Sequence, residues 1–212
     1  MTEFYEKLRK TGIVPVIKIN REEDAFPLAQ ALSQGDILAA EITFRSSAAA
    51  GAIGEICTHM PQMCVCAGTV LSVEMAKEAV DAGAEAIISP GTNMKVIDWC
   101  LDHEVPVIPG CATPTEVEAC MERGLQVVKL FPAEVVGGVK MLKALAGPYS
   151  QMKFMPTGGI SEANAGEYLS QPNVIACGGS WMVAEKLIDA GAYEEITRLA
   201  KQASEIVTQI RK

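Results

Sequence analysis

Arg123-Gly124-Leu125-Gln126-Val127-Val128-Lys129-Leu130-Phe131-Pro132 decides the fold, because a helix stop, a short turn and a strand of buried type follow one another without a gap. Gly124 stands where a helix ends in a left-handed residue, and residues 127–130 read as a strand covered on both faces. The unit recurs. Gln34-Gly35 precedes a strand at 37–42, and Ala82-Gly83 precedes Ala86-Ile87-Ile88. Further strands are predicted at 13–18, 63–68, 106–109, 153–157 and 174–177, with a helix over 21–33 where apolar residues return at helical spacing.

Strands spaced by roughly 20 to 27 residues, each followed by a helical stretch, favour a parallel sheet with crossover helices. Eight such units closing on themselves give a TIM (β/α)8 barrel, here with an extra amphipathic helix over 1–10. An open doubly wound sheet is the competing architecture. It usually carries a glycine-rich turn after its first strand, where this chain reads Ile17-Lys18-Ile19-Asn20. No linker or low-complexity tract interrupts the repeat, so a single domain over 1–212 is expected.

Composition narrows the function. With 49% hydrophobic and 21% charged residues and no apolar run of membrane length, the chain reads as a globular protein. Its N-terminus lacks the apolar core of a signal peptide, which leads us to expect a cytoplasmic protein. A formal charge of -8 argues against a nucleic-acid partner, though not against a small anion held in a local positive site. The seven cysteines contain no Cys-x-x-Cys pair and read as small core residues. His59 and His103 have no metal-ligand neighbours at usable spacing, so neither a metal nor another cofactor is expected.

Lys129 is the chemical anomaly. Burying an ammonium costs several kcal/mol, as an order of magnitude, unless it is paired; buried lysines therefore tend to shed the proton, and a neutral amine attacks carbonyls. Parity along the second strand puts Glu41, Thr43 and Arg45 on one face and Ile42 and Phe44 on the other. The polar set must face the interior, because apolar helices cover the outside. Glu41 as proton shuttle, Arg45 as a carboxylate clamp and Lys129 as nucleophile would then converge in a small, dry space. The plainer alternative is a buried ion-pair network without chemistry. Thr69 adds a hydroxyl at the same rim, unless it or Ser72 merely caps the next helix. A second constellation is anion-like. Thr157-Gly158-Gly159-Ile160-Ser161 and Gly178-Gly179-Ser180 end the seventh and eighth strands, whose loops commonly cradle phosphate in such barrels.

These residues resemble a known family. Glu41-Ile42-Thr43-Phe44-Arg45, Ala67-Gly68-Thr69-Val70, Ser89-Pro90-Gly91, Val107-Ile108-Pro109-Gly110, Lys129-Leu130-Phe131-Pro132-Ala133, Pro156-Thr157-Gly158-Gly159-Ile160 and Gly178-Gly179-Ser180-Trp181 are similar, in order, to motifs of the 2-keto-3-deoxy-6-phosphogluconate (KDPG)/4-hydroxy-2-oxoglutarate (KHG) aldolases. The resemblance implies a class I aldolase and lyase of carbohydrate metabolism (the Entner-Doudoroff route), with a Schiff-base lysine at Lys129 and an acid/base at Glu41. It implies a substrate carboxylate near Arg45 and Thr69, and a phosphate around Thr157, Gly158, Gly159, Gly179 and Ser180. Pro90 and Phe131 would line the pocket of a homotrimer acting on a small 2-keto acid. Ile42, Phe44, Ser46 and Cys111-Ala112 depart from the family pattern, the last two near the rim that sets fine specificity.

Two further readings compete. A phosphate-binding isomerase or synthase would want the glycine loops but not an interior lysine facing Glu41. A non-catalytic small-acid binding barrel would have lost the lysine or the glutamate.

Overall fold

The structure is a computed structural model describing residues 3–211. It opens with helix α1 (Glu3–Thr11) and strand β1 (Ile13–Ile17), so the expected N-terminal helix is present; Met1 and Thr2 lie outside the described residues. Helix and strand then alternate through α2 (Ala25–Gln34), β2 (Ala39–Thr43), α3 (Ala49–His59), β3 (Cys64–Gly68), α4 (Val73–Asp81), β4 (Ala86–Ile88) and α5 (Met94–Asp102). The second half runs β5 (Val107–Ile108), β6 (Gly110–Cys111), α6 (Pro114–Met121), β7 (Val127–Leu130), α7 (Gly138–Ala146), β8 (Lys153–Phe154), α8 (Glu162–Leu169), β9 (Cys177–Gly179), α9 (Glu185–Asp189) and α10 (Tyr193–Ile210). Among the described residues no helix is long and apolar enough to cross a membrane.

Every strand pairing is parallel, in one sheet ordered β5-β4-β3-β2-β1-β9 and another ordered β6-β7-β8. The expected eight regular strands are therefore met only in outline. The fifth is split at Pro109, which has no N–H to give a ladder, although its carbonyl accepts from Lys129 N at 2.8 Å. The seventh, expected to reach 157, shortens to Lys153–Phe154 ahead of Pro156, and the eighth moves from 174–177 to Cys177–Gly179. Isolated bridges at Phe154↔Val174 and Thr157↔Gly178 join these two.

Strand parity sorts the core into two clusters. Ala40, Ile42, Val65, Ala67, Val128 and Leu130 pack outward against helices in the larger one. Ala39, Cys64, Cys66, Ala86, Val127 and Met155 face inward in the smaller, which Phe4, Tyr5 and Leu8 of α1 join from one end. Burying each such aromatic or leucine side chain contributes about 1.5–3 kcal/mol, so α1 is held as an apolar plug. Small inner residues leave room for little else.

One helix stop differs from the sequence reading. Gly83 and Gly124 are left-handed, at φ 103° and 77°, but Gly35 has φ -87° and the left-handed residue is Asp36, at φ 63°. Aspartate tolerates that region. Gly35 is bare for another reason: a Cβ there would lie 2.4 Å from Ala200 Cβ and 2.9 Å from Lys201 N on α10. Gly35→Ala is therefore expected to cost about 1–3 kcal/mol by overpacking. Gly124→Ala, with nothing within 4 Å of its added methyl, should lose only the roughly 1–2 kcal/mol of left-handed strain. Urea unfolding of both variants checks the order, and a smaller loss at Gly35 would contradict the packing assignment.

Candidate active site

The inward parity that buries Val127 also buries Lys129, two residues on. Its Nζ donates to Glu41 Oε1 at 3.0 Å, with side-chain exposures of 5% and 1%. Lys129 Nζ also stands 5.3 Å from the Phe131 ring centroid, within cation–π reach. Glu41 reaches this point because the strand beside it ends in glycine. Thr43 is in register with Gly68, and a Cβ on Gly68 would fall 2.4 Å from Glu41 Oε1. The second carboxylate oxygen, Oε2, is buried and, among the described residues, has no hydrogen-bond partner. Leaving such an acceptor unmet costs free energy that a hydroxyl-bearing ligand or a water would recover.

The sequence reading placed Arg45 with these two in a dry interior, and that needs correction. Arg45 is exposed, because β2 ends at Thr43 and the chain turns out of the sheet through the 2.7 Å bond from Arg45 N to Thr43 O. It is tethered instead. Arg45 Nε donates to Thr43 Oγ1 at 3.0 Å, and that buried hydroxyl donates onward to Ile17 O at 2.7 Å. The guanidinium is thus tied to the end of β2 through the buried Thr43. Thr69 does not cap a helix; Ser72 caps α4, accepting from Met75 N at 3.3 Å. Thr69 is held at φ 58°, a conformation unfavourable for a β-branched residue.

Gly158 and Gly159 are both left-handed, at φ 97° and 81°, just ahead of α8. Among the described residues their N–H groups, and that of Ser180, meet no backbone or side-chain acceptor. Thr157 and Gly179 are buried and Ser180 is exposed, so the two turns form one ledge bridged at Thr157↔Gly178. Free N–H groups at a helix N-terminus suit an anion. Pro90 is half-buried and lines a cleft of about 320 Å³ with Val70, Leu71 and Ser89. A cavity of about 620 Å³ is lined by none of these groups; Glu6, Arg9, Lys153 and Arg211 line it.

Sequence reading missed part of this rim. Lys18 Nζ donates to Glu185 Oε1 at 2.5 Å, and Asn20 Nδ2 donates to the same oxygen at 2.9 Å. These bonds hold the Glu185 carboxyl below the usual range, Lys18 contributing most. Glu185 follows β9 by a few residues, and nothing in its local sequence announces the contact. Among the described residues no group of three His, Cys, Asp or Glu side chains could hold a metal ion. All seven cysteines are free, with Cys111 Sγ 3.7 Å from Cys120 Sγ.

Chemically, an amine and a carboxylate with one unmet oxygen meet in the interior, while an arginine and two turns with free N–H groups lie beyond strand ends. A family model described as KDPG and KHG aldolase matches residues 4–199. The 2-dehydro-3-deoxy-phosphogluconate aldolase of Treponema pallidum is 47% identical over 207 residues, 98% of this chain and 99% of that protein. The KHG/KDPG aldolase of Escherichia coli K12 is 43% identical over 201 residues, 94% of each. Among solved structures, the KDPG aldolase of Legionella pneumophila, with pyruvate captured at low pH as a covalent carbinolamine, superposes with a TM-score of 0.91. It is 38% identical, over 94% of this chain and 97% of that one.

Removing either partner of the buried pair should destabilise the fold by about 3–5 kcal/mol, since the other charge is then stranded. Glu41→Leu with Lys129→Met together should cost less than the sum of the two single changes. Urea unfolding of the three variants gives the coupling, and additive losses would mean that the pair does not interact.

Proposed function

The chain belongs to the KDPG and KHG aldolase family, and from that premise we propose that Lys129 and Glu41 carry the reaction while Arg45, Thr69 and the 157–159 and 179–180 turns hold the substrate. The protein is a class I aldolase, a lyase acting on a small 2-keto acid. Its reaction cleaves KDPG to pyruvate and glyceraldehyde 3-phosphate, or KHG to pyruvate and glyoxylate. The observation that carries the assignment of roles is the 3.0 Å contact between Lys129 Nζ and Glu41 Oε1 beneath the unmet Oε2.

The steps follow from these atoms. Lys129 gives a proton to Glu41 and adds to the C2 ketone as a neutral amine, forming a carbinolamine. Glu41 returns the proton to the departing hydroxyl, and loss of water leaves an iminium. The Glu41 carboxylate then takes the proton from the C4 hydroxyl; the C3–C4 bond breaks, its electron pair flows into the iminium, and the aldehyde leaves. Protonation of the resulting enamine at C3, then addition of water, frees pyruvate and restores the amine. The pyruvate carbinolamine captured in the Legionella relative corresponds to the last covalent species of this sequence, the one that forms when water adds to the pyruvate iminium. Arg45, fixed by Thr43, pairs with the C1 carboxylate, and Phe131 and Pro90 flank the carbon chain. The phosphate of KDPG meets the free N–H groups of Gly158, Gly159 and Ser180, beside Thr157 and Gly179.

The same reading extends to the architecture. We take β5 with β6 as one strand, and the bridges at Phe154↔Val174 and Thr157↔Gly178 as the seam, which would close the chain as a single (β/α)8 domain. A homotrimer is proposed as well; the apolar side chains of Leu71 and Val135, 53% and 83% exposed, are surface that an assembly could cover.

Pyruvate with borohydride is expected to inactivate the enzyme and leave a reduced adduct on Lys129, located by peptide mapping. An adduct on Lys18 would move the nucleophile to the rim, and none at all would remove the Schiff-base mechanism. For the anion ledge, Ser180→Asp should raise KM for KDPG about tenfold or more, because roughly 1.4 kcal/mol of lost binding is tenfold. KHG, which has no distant phosphate, should suffer less. Equal losses on both substrates in steady-state kinetics would reduce the ledge to a structural turn.

A further inference from the structure

The turn after Lys129 is fastened to the anion ledge. Past β7 the chain runs Phe131-Pro132-Ala133-Glu134, where Ala133 N donates to Thr157 O at 2.8 Å and Glu134 N to Gly158 O at 3.1 Å. The Glu134 side chain lies over the next glycine, since a Cβ on Gly159 would stand 2.4 Å from Glu134 Cγ. Its carboxylate accepts a hydrogen bond from the hydroxyl of Tyr168, a side chain of α8 that is 1% exposed. A Cβ on Gly138, the first residue of α7, would come within 2.7 Å of that hydroxyl and 3.2 Å of Glu134 Oε1. Both glycines are thus bare where one carboxylate–phenol pair needs the space. Burial first, and the Glu134 bond second, push the Tyr168 phenol up, which keeps it a donor at neutral pH.

This contact serves neither the amine nor its acid/base partner. Building on the aldolase reading, we infer that Glu134, held by Tyr168, is a positioning residue that fixes the glycine turn relative to Lys129 and so favours substrates with a distant phosphate. The mechanism is steric and hydrogen-bonded. Two backbone bonds tie the turns, and the methylenes of Glu134 press on Gly159 only while its head group is anchored. Charge is not required, because a neutral amide oxygen in the same place would accept the phenol equally.

The test is steady-state kinetics on KDPG and KHG with three variants, alongside pyruvate–borohydride labelling and thermal melting. Tyr168→Phe removes one hydroxyl and keeps the ring, so the fold should survive. KM for KDPG is expected to rise about fivefold or more, while kcat/KM for KHG and adduct formation on Lys129 change less than about twofold. Glu134→Ala should behave alike, and Glu134→Gln should restore values near those of the unaltered enzyme. Equal losses on both substrates would overturn the inference, as would Tyr168→Phe without effect. Glu134→Gln as impaired as Glu134→Ala would also overturn it, by making the charge itself the active feature. If the unaltered enzyme cleaved neither KDPG nor KHG, the functional reading would fall and take this inference with it; cleavage of KHG but not KDPG, or normal cleavage with indifferent variants, would sink the inference alone.

Discussion

A lysine and a glutamate, both almost fully buried and 3.0 Å apart, constrain the rest of this structure. Taking two charges out of water costs several kcal/mol each as an order of magnitude, recovered only with close geometry and little competing solvent. The neighbouring residues meet that demand by being small. Gly68 has no Cβ where the Glu41 carboxylate lies, and Ala39, Cys64 and Cys66 keep the inner face narrow. Helix α1 then fills one end of this space with Phe4, Tyr5 and Leu8, so that polar groups crowd toward the other.

The strands accordingly grade from apolar to charged along their length. Ala39, Glu41 and Thr43 share one face of β2, as Val127 and Lys129 share one of β7, and each series becomes more polar toward its C-terminal end. Arg45 continues the first series beyond the sheet and is exposed, which suits the carboxylate-binding role proposed for it, since a substrate arrives from water. Thr43 links the two regimes, being buried itself and bonded to both the β1 backbone and the arginine. The unmet Glu41 Oε2 fits the same design, since an acceptor satisfied by protein would be less available to a substrate hydroxyl.

Much of this was legible in the residues themselves. Period-two parity is a property of extended backbone, so the inward set Glu41, Thr43 and Lys129 could be read before any coordinate, as could the left-handed stops at Gly83 and Gly124. The lysine in an apolar strand and the paired glycines at 158–159 and 178–179 are local signals for the same reason. Sequence reading went astray where a local rule met a distant neighbour. Gly35 resembles a helix stop, yet Ala200, far along the chain, is what excludes its side chain. Arg45 has the right parity but lies past the last ladder bond, and parity does not say where a sheet ends.

Tertiary structure alone decided the remaining contacts. The splits at Pro109 and before Pro156 depend on which neighbour would have received the missing N–H, and Glu185 meets Lys18 only because β9 returns to lie beside β1. Glu134 finds Tyr168 across two turns and a helix, and the bare Cα of Gly159 and Gly138 make sense only once that pair is in place. The sequence by itself determined which side chains of a strand share a face and where the left-handed stops at Gly83 and Gly124 fall, because both follow from the geometry of one strand or one turn. Pairing between segments distant in the chain was settled only in the folded molecule, where packing brings the strands and turns to fixed offsets that no short stretch encodes.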